Sequence, residues 1–281
     1  MRVLLTGSEG FIGKHVSRQL VEAGHEVIGL DIVKGNDITR PLDPIPGLDA
    51  VIHLAAIANP RECDANPTKA FDVNVNGANQ VLKMALESGA RKVVFSSSAH
   101  VYDIPPRYFP TDETHPLRLN NTYTTTKLRG EQLCHLFWEN HGLAYTVLRL
   151  FNAYGPGQSL GYFIPDMIAK AAKGPIALQG GKTTKDWVYI DDVARAFASA
   201  VETSFVGAIN IGTGVETPLY DIAKRIADAS GVVCASDDDG AYYTRMRADW
   251  TRAAKVLGWK PKVDIWEGLH ACLGQSKPVP A

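Results

Sequence analysis

The feature that most constrains this chain lies at its start. Residues 2–6 (RVLLT) make a short apolar run that breaks into Gly7-Ser8-Glu9-Gly10-Phe11-Ile12-Gly13. Helical periodicity follows, with Ile12, Val16, Leu20 and Val21 on one stripe that ends near Gly24, and a second apolar run, EVIGLD, closes on Asp31. Strand, glycine turn, helix and strand in this order make a nucleotide-binding βαβ unit. The glycines let the backbone approach a pyrophosphate, and the helix N-terminus attracts its charge. Three glycines alone would mark any turn, and the spacing here is GxxGxxG rather than GxGxxG. Their place directly after a first strand, with an aspartate ending the next, gives them weight. Asp31 can accept hydrogen bonds from both ribose hydroxyls and would repel a 2′-phosphate, which favours NAD over NADP. The plainer reading of Asp31 is an N-cap or loop aspartate.

The remaining chain keeps alternating strand and helix. From Asp31 to Asn36 it is too short for a crossover helix; Asp37-Ile38 then predicts a brief strand, and Pro41, Pro44 and Pro46 a loop. Residues 50–56 (AVIHLAA) predict a buried strand ending in small residues where a nucleotide can lie close. A helix is expected from Pro67 to Ser88, with Phe71, Val75, Leu82 and Met84 apolar. It carries Asn74 and Asn76, costly if buried without partners. KVVFSSS predicts a strand ending in three serines, where ligands of parallel sheets bind; capping of the next turn is the expected role of Ser96 and Ser97. Residues 103–120 read as a surface loop, and Thr122–Asn140 as a helix with a core face of Leu128, Leu133, Leu136 and Phe137. The strand LAYTVLRL leads into a turn at 151–157 and a helix over 164–172. A strand over 185–190 precedes a helix capped by Asp191 or Asp192. The strand GAINIGTG, a helix over 219–230 and a short helix near Leu269 finish the chain. The alternation argues for an α/β fold with a doubly wound parallel sheet.

Composition narrows the function classes. The 281 residues are 45% hydrophobic and 21% charged, enough for a full core, and a net charge of -1 gives no reason to expect nucleic acid or an anionic membrane as partner. No stretch approaches the ~20 apolar residues of a membrane span, and no targeting segment is read at the N-terminus. Cys63, Cys134, Cys234 and Cys272 form no CxxC pair and have no paired histidine. That pattern predicts a reduced, cytoplasmic protein with no metal.

Tyr123 and Lys127 stand four apart and would project from one helix face. A phenol titrates near pH ~10, but an adjacent ammonium favours the phenolate, so the two can serve as a proton-transfer pair. On a solvated face they would be mere neighbours. The pair acquires meaning only if a cofactor site and a third polar group converge on it.

Taken together, the motifs resemble the extended short-chain dehydrogenase/reductase family, the NAD-dependent sugar epimerases and dehydratases. They are TGSEGFIG at 6–13, Asp31, Asp37-Ile38, HLAA at 53–56, NVNG at 74–77, SSSAHVY at 96–102, YTTTK at 123–127, RLFNAYGPGQ at 149–158, KDWVYIDDVARA at 185–196 and NIGTG at 210–214. The resemblance implies a Rossmann dinucleotide-binding domain over 1–158 that also receives about 185–214. A smaller substrate-binding lobe would be formed by 159–184 and 215–281. Ser98, Tyr123 and Lys127 would be catalytic. Gly7, Gly10, Phe11, Ile12 and Gly13 would form the pyrophosphate loop, Asp31 the ribose site and Asp37-Ile38 the adenine contact. Leu54, Ala55, Ala56 and Asn74 would complete the NAD site, with Asn74 structural and part of a proton relay. Ser98, Asn152, Lys185 and Arg245 would touch a nucleotide sugar. Lys185 stands where the family usually has an arginine, keeping charge but losing the bidentate fork. The family also implies a homodimer built on helices 68–88 and 122–140.

Ala99 and His100 occupy the places where 4,6-dehydratases carry an Asp-Glu pair. Elimination of water lacks its acid and base there, and the resemblance of the Ser98–Tyr102 strand end and of the RLFNAYGPGQ turn implies a nucleotide-sugar epimerase of the 4-epimerase type. The alternatives are a 4-keto-sugar reductase and a non-catalytic NAD-binding regulator.

Overall fold

The computed structural model describes residues 1–237 and 243–274. Its strands are β1 (Arg2–Thr6), β2 (Glu26–Leu30), β3 (Ala50–His53), β4 (Lys92–Ser98), β5 (Ala144–Leu150), β6 (Asn152–Tyr154), β7 (Ile176–Gln179), β8 (Thr184–Tyr189), β9 (Gly207–Ile211), β10 (Glu216–Pro218) and β11 (Cys234–Asp237). Its helices are α1 (Phe11–Glu22), α2 (Pro60–Ala65), α3 (Pro67–Phe71), α4 (Gly77–Glu87), α5 (Thr122–His141), α6 (Phe163–Ala171), α7 (Ile190–Glu202), α8 (Leu219–Ala229), α9 (Thr251–Leu257) and α10 (Ile265–Gly274).

Six strands pair in parallel in the order β2-β1-β3-β4-β5-β9. Their continuous apolar runs are what a sheet covered on both faces requires. On β1, Val3 and Leu5 join α1 and α7 in one core through Val16, Leu20 and Phe197. Leu4 faces the other way, into a core with Val81, Met84, Cys134 and Phe137 of α4 and α5. Fully burying each such side chain contributes roughly 1.5–3 kcal/mol. The register sets Thr6 opposite both Leu30 and His53, so the carboxyl ends of β1, β2 and β3 form one edge. The strand order reverses beside β1, and a crevice opens there.

A third core lies beyond this sheet. Tyr154, Ile164, Met167, Trp187, Ile222, Ile226 and Leu269 bring α6, α8 and α10 together around two small sheets, β10-β8-β6 and β11-β7. Asp186 on β8 fastens this part to the chain beyond β9. It is fully buried, and its carboxylate accepts from Thr213 N and Oγ1, Gly214 N and Ala248 N at 2.7–2.9 Å.

Several expectations change. Asp37-Ile38 is a turn, not a strand, because the Asp37 carboxylate folds back onto Thr39 N and Oγ1 at 2.9 and 2.7 Å. The helix expected over 67–88 is divided by a π-helical turn at Asp72–Asn76. Phe71 is exposed, whereas Val81 is buried. Leu136 is also exposed, because the inward stripe of α5 runs through Tyr123, Lys127, Gly130, Cys134 and Phe137. Gly130 lies under the Phe95 ring so closely that a Cβ would stand 2.2 Å from Cζ. Neither Asp191 nor Asp192 caps α7: Asp191 binds His15 Nδ1 at 2.8 Å, and Asp192 accepts from Lys262 N and Val263 N at 2.8 and 3.1 Å.

Candidate active site

A cavity of about 750 Å³ runs along the carboxyl edge of the sheet, from the glycine turn to the third core. At its first end Thr6 organises the turn. Its Oγ1 accepts from Leu54 N and Ala55 N at 3.2 Å each and therefore gives its own proton to His53 Nδ1, 2.7 Å away. That bond needs an unprotonated ring nitrogen, and burial accordingly brings the His53 pKa down to about 3. The clamp presses the 54–55 backbone onto Gly7, where φ is +71° and a Cβ would meet Ala55 N at 2.8 Å. At Gly13 a Cβ would stand 2.0 Å from Gly7 O. Backbone alone fits in this cradle.

Asp31 is buried and accepts from Glu9 N at 2.9 Å and Val33 N at 3.1 Å. It caps the 32–34 turn, as the plainer reading expects, and it also lines the cavity. Gly10, Phe11, Ile12, Asp37, Ile38, Leu54, Ala55 and Ala56 line the same end. Asn74 does not. Its side chain accepts from Ile57 N at 2.7 Å and donates to Ile57 O and Thr126 Oγ1 at 3.0 Å, tying the loop after β3 to α5. The cost of burying it is thereby met.

In the middle of the cavity, α5 supplies Tyr123 and Lys127, both buried. Its N-terminus is fixed by a capping box between Asn121 and Thr124. Ser98 ends β4, caps the 99–101 turn by accepting from His100 N at 3.2 Å, and acts on the Tyr123 phenol in the direction that favours its ionisation. The capping role expected for Ser96 and Ser97 thus belongs to Ser98. Ser97 Oγ instead donates to Glu131 Oε1 at 2.5 Å, and the Ser96 carbonyl accepts from Lys127 Nζ at 2.9 Å.

The electrostatics differ from a simple ammonium-lowered phenol. Burial pushes the Tyr123 phenol up, opposed by the Ser98 side chain. Burial also brings Lys127 down to about 8. Lys127 Nζ lies 5.8 Å from the Tyr123 ring centroid. A charge at that range favours the phenolate as a proton departs.

At the far end Asn152, Lys185 and His100 line the cavity. Asn152 Nδ2 donates to Asp186 O at 3.0 Å. Lys185 Nζ touches Met246 Sδ at 3.5 Å and, among the described residues, has no carboxylate within ion-pair distance. Burial lowers its pKa. Burial, helped by the Lys185 charge, brings His100 down to about 4, so its imidazole is neutral. Arg245 is not in this cavity: Glu216 holds it through Nε at 2.9 Å and a second bond from Nη2, and it stacks on Phe109 at 4.5 Å. Sequence reading missed Tyr162, Phe163 and Trp187 on this wall. Trp187 was findable, since it sits two residues after Lys185 on a strand and so on the same face. Its Nε1 is buried with no hydrogen-bond partner among the described residues.

The cradle, the buried Asp31 and the unobstructed run to Tyr123 fit a dinucleotide lying along the sheet edge, with a second ligand against His100, Lys185 and Trp187. A family model described as the NAD dependent epimerase/dehydratase family matches residues 3–212. A UDP-glucose 4-epimerase of Mycolicibacterium smegmatis is 32% identical, with 96% of each chain covered. The UDP-glucuronic acid decarboxylase 5 of Arabidopsis thaliana is 30% identical over 96% of this chain and 87% of its own. Among solved structures, the UDP-glucose 4-epimerase of Thermotoga maritima with UDP-glucose superposes with a TM-score of 0.86 at 30% identity, covering 98% of both chains. The cofactor is NAD, and this chain belongs to the NAD dependent epimerase/dehydratase family of enzymes.

Proposed function

We propose that the protein is a nucleotide-sugar 4-epimerase. One observation carries the choice within the family. The only carboxylates among the described lining residues, Asp31 and Asp37, belong to the adenosine end, and beyond Lys127 the cavity offers Ser98, Tyr123, a neutral His100 and Lys185. Elimination of water needs an acid and a base beside the sugar ring, and here that wall has Ala99 buried in a small core and an imidazole. Reversible oxidation of a hydroxyl needs only a proton acceptor and a donor that polarises the oxygen.

NAD, when bound, takes and returns a hydride. Tyr123 and Ser98 share the sugar oxygen: in its phenolate form, favoured by the Lys127 charge, Tyr123 takes the hydroxyl proton and returns it, while Ser98 holds the oxygen in place. Lys127 supplies positive charge in a water-poor pocket where such charge acts strongly. Asn152 and Lys185 hold the diphosphate, and the lobe around the third core forms the substrate wall. We also propose a homodimer through the outward face of α5, where Leu136 and Trp138 are exposed; a monomeric mass at micromolar concentration contradicts it.

The deciding experiment gives the purified protein UDP-galactose and, separately, UDP-glucuronic acid, with no added cofactor. Epimerisation yields UDP-glucose or the C4 epimer of the uronate with no net change in NADH absorbance. Release of carbon dioxide from the uronate assigns a decarboxylase instead. Turnover only with a 4-keto sugar and NAD(P)H assigns a reductase.

A further inference from the structure

The helix that carries Tyr123 and Lys127 has a third polar residue on the same stripe. Glu131 follows Lys127 by four residues, and its side chain is 11% exposed. It is fully engaged: its carboxylate accepts from Ser97 Oγ at 2.5 Å and from Arg149 Nε and Nη2 at 3.1 and 2.7 Å. Arg149 lies on β5 opposite Ser97, with a side chain 6% exposed. From there hydrogen bonds run on through Tyr102 to Asn210 on β9, at 3.2 and 2.6 Å.

The position of this network matters more than its size. Lys127 holds the Ser96 carbonyl and Glu131 holds the Ser97 hydroxyl, so two successive residues of β4 are pinned to α5 directly below Ser98. Ser98 then meets Tyr123 with both of their elements fixed. A surface ion pair would contribute little. A buried pair with satisfied hydrogen bonds is worth little to net stability against an apolar substitute, yet breaking it from one side leaves a buried charge. Geometry of this kind suits a positioning role.

We propose that Glu131 and Arg149 form a positioning pair, locking α5 to the end of β4 beneath Ser98 and Tyr123 and setting the electrostatic surroundings of Lys127. The proposal rests on the catalytic reading of Lys127 given above. Lys127 is faced by Tyr123 and Glu131 on its own helix, by the Phe95 ring of β4 at 5.5 Å, by Cys63 of α2 and by the neutral His53 of β3. Lys69 of α3 opens on the same cavity. Of the groups that act on the ammonium in its favour, Cys63 and Glu131, burial pushes the Cys63 thiol up, so only the carboxylate carries charge at neutral pH. Arg149 stands behind that carboxylate and opposes it.

The two members therefore predict opposite signs. Glu131→Gln removes the anion and makes the Lys127 ammonium easier to deprotonate; Arg149→Met leaves the anion less compensated and makes it harder. In the holoenzyme, the alkaline limb of the kcat–pH profile moves down by about one pH unit in Glu131→Gln and up in Arg149→Met, by the size of a charge interaction across one helical turn at intermediate dielectric. The double variant, which leaves no unpaired charge, falls between them and shows whether the fold survives. The same shifts are read without turnover from the pH titration of the Lys127 side-chain NMR signal, identified by its loss in Lys127→Arg. Opposite shifts in that titration uphold the pair even if no nucleotide sugar is turned over, an outcome that would count against the proposed reaction alone. Shifts of one sign in both variants, or no shift in either, would overturn the positioning role.

Discussion

The two ends of the cavity are built in different ways. The glycine-turn end is backbone: a turn with no room for a Cβ, the 54–55 peptide pressed against it, and one buried carboxylate held by two amides. The far end is side chain: Asn152 from β6, Lys185 and Trp187 from β8, Tyr162 and Phe163 at the start of α6, and His100 after β4. Backbone recognition tolerates almost no substitution and is shared by everything that binds the same cofactor. Side-chain recognition can be changed one residue at a time, which suits a family whose members differ in reaction.

The sharpest way to break this comparison is Gly13→Ala. The added methyl would stand 2.0 Å from Gly7 O, within backbone that the Thr6–His53 clamp leaves no room to shift. Overpacking of this kind costs ~3 kcal/mol, which corresponds to at least ~100-fold weaker NAD binding. The ratio of absorbance at 260 and 280 nm in the purified protein and a calorimetric titration with NAD read it directly. Retention of NAD at wild-type affinity would show that the cradle is looser than its geometry implies.

At the opposite end the matching change is Lys185→Met, similar in length and without charge. Losing one charged hydrogen bond of ~1.5–3 kcal/mol raises KM for the nucleotide sugar by roughly 10–100-fold. NAD affinity stays unchanged, because Lys185 opens only on the far end. A KM that does not move would mean that the diphosphate lies elsewhere, and would return attention to the arginines beyond β10.

This contrast also explains what could be read from the chain. The glycine turn, Asp31 and the HLAA strand end depend on local order, and the sequence prints local order in full. Tyr123, Lys127 and Ser98 needed one long-range step, the packing of α5 on β4, which the parallel-strand topology supplies. Arg245 was misplaced because its partner, Glu216, lies 29 residues earlier on a three-residue strand that no periodicity announces. Leu136 was misplaced because Gly130 and Glu131 claim the inward stripe, one to admit the Phe95 ring and the other to meet Ser97 and Arg149. Tyr162 reaches the cavity only through the docking of the third core, and nothing within its own segment records that.

The smallest effect tests the comparison through two histidines, one at each end. His53 is 4% exposed and His100 is partly open to the cavity; burial holds their pKa values down to about 3 and about 4, against an ordinary value of 6.5. Both are neutral in the folded protein where the unfolded chain would already be charged. Between pH 6.5 and 4, then, the unfolded state binds more protons, and stability falls as pH falls, by up to ~1.4 kcal/mol per pH unit for each group. His53→Phe flattens that slope down to about pH 3 and also lowers stability at pH 7, since the Thr6 hydroxyl loses its acceptor. His100→Gln flattens the slope less, because solvent in the cavity screens a ring that no protein group hydrogen-bonds among the described residues. Urea midpoints taken between pH 7 and 4 separate the two variants. If His100→Gln had the larger effect, the far end would be the more tightly closed of the two, and the division between a rigid backbone cradle and an adjustable side-chain wall would have to be reversed.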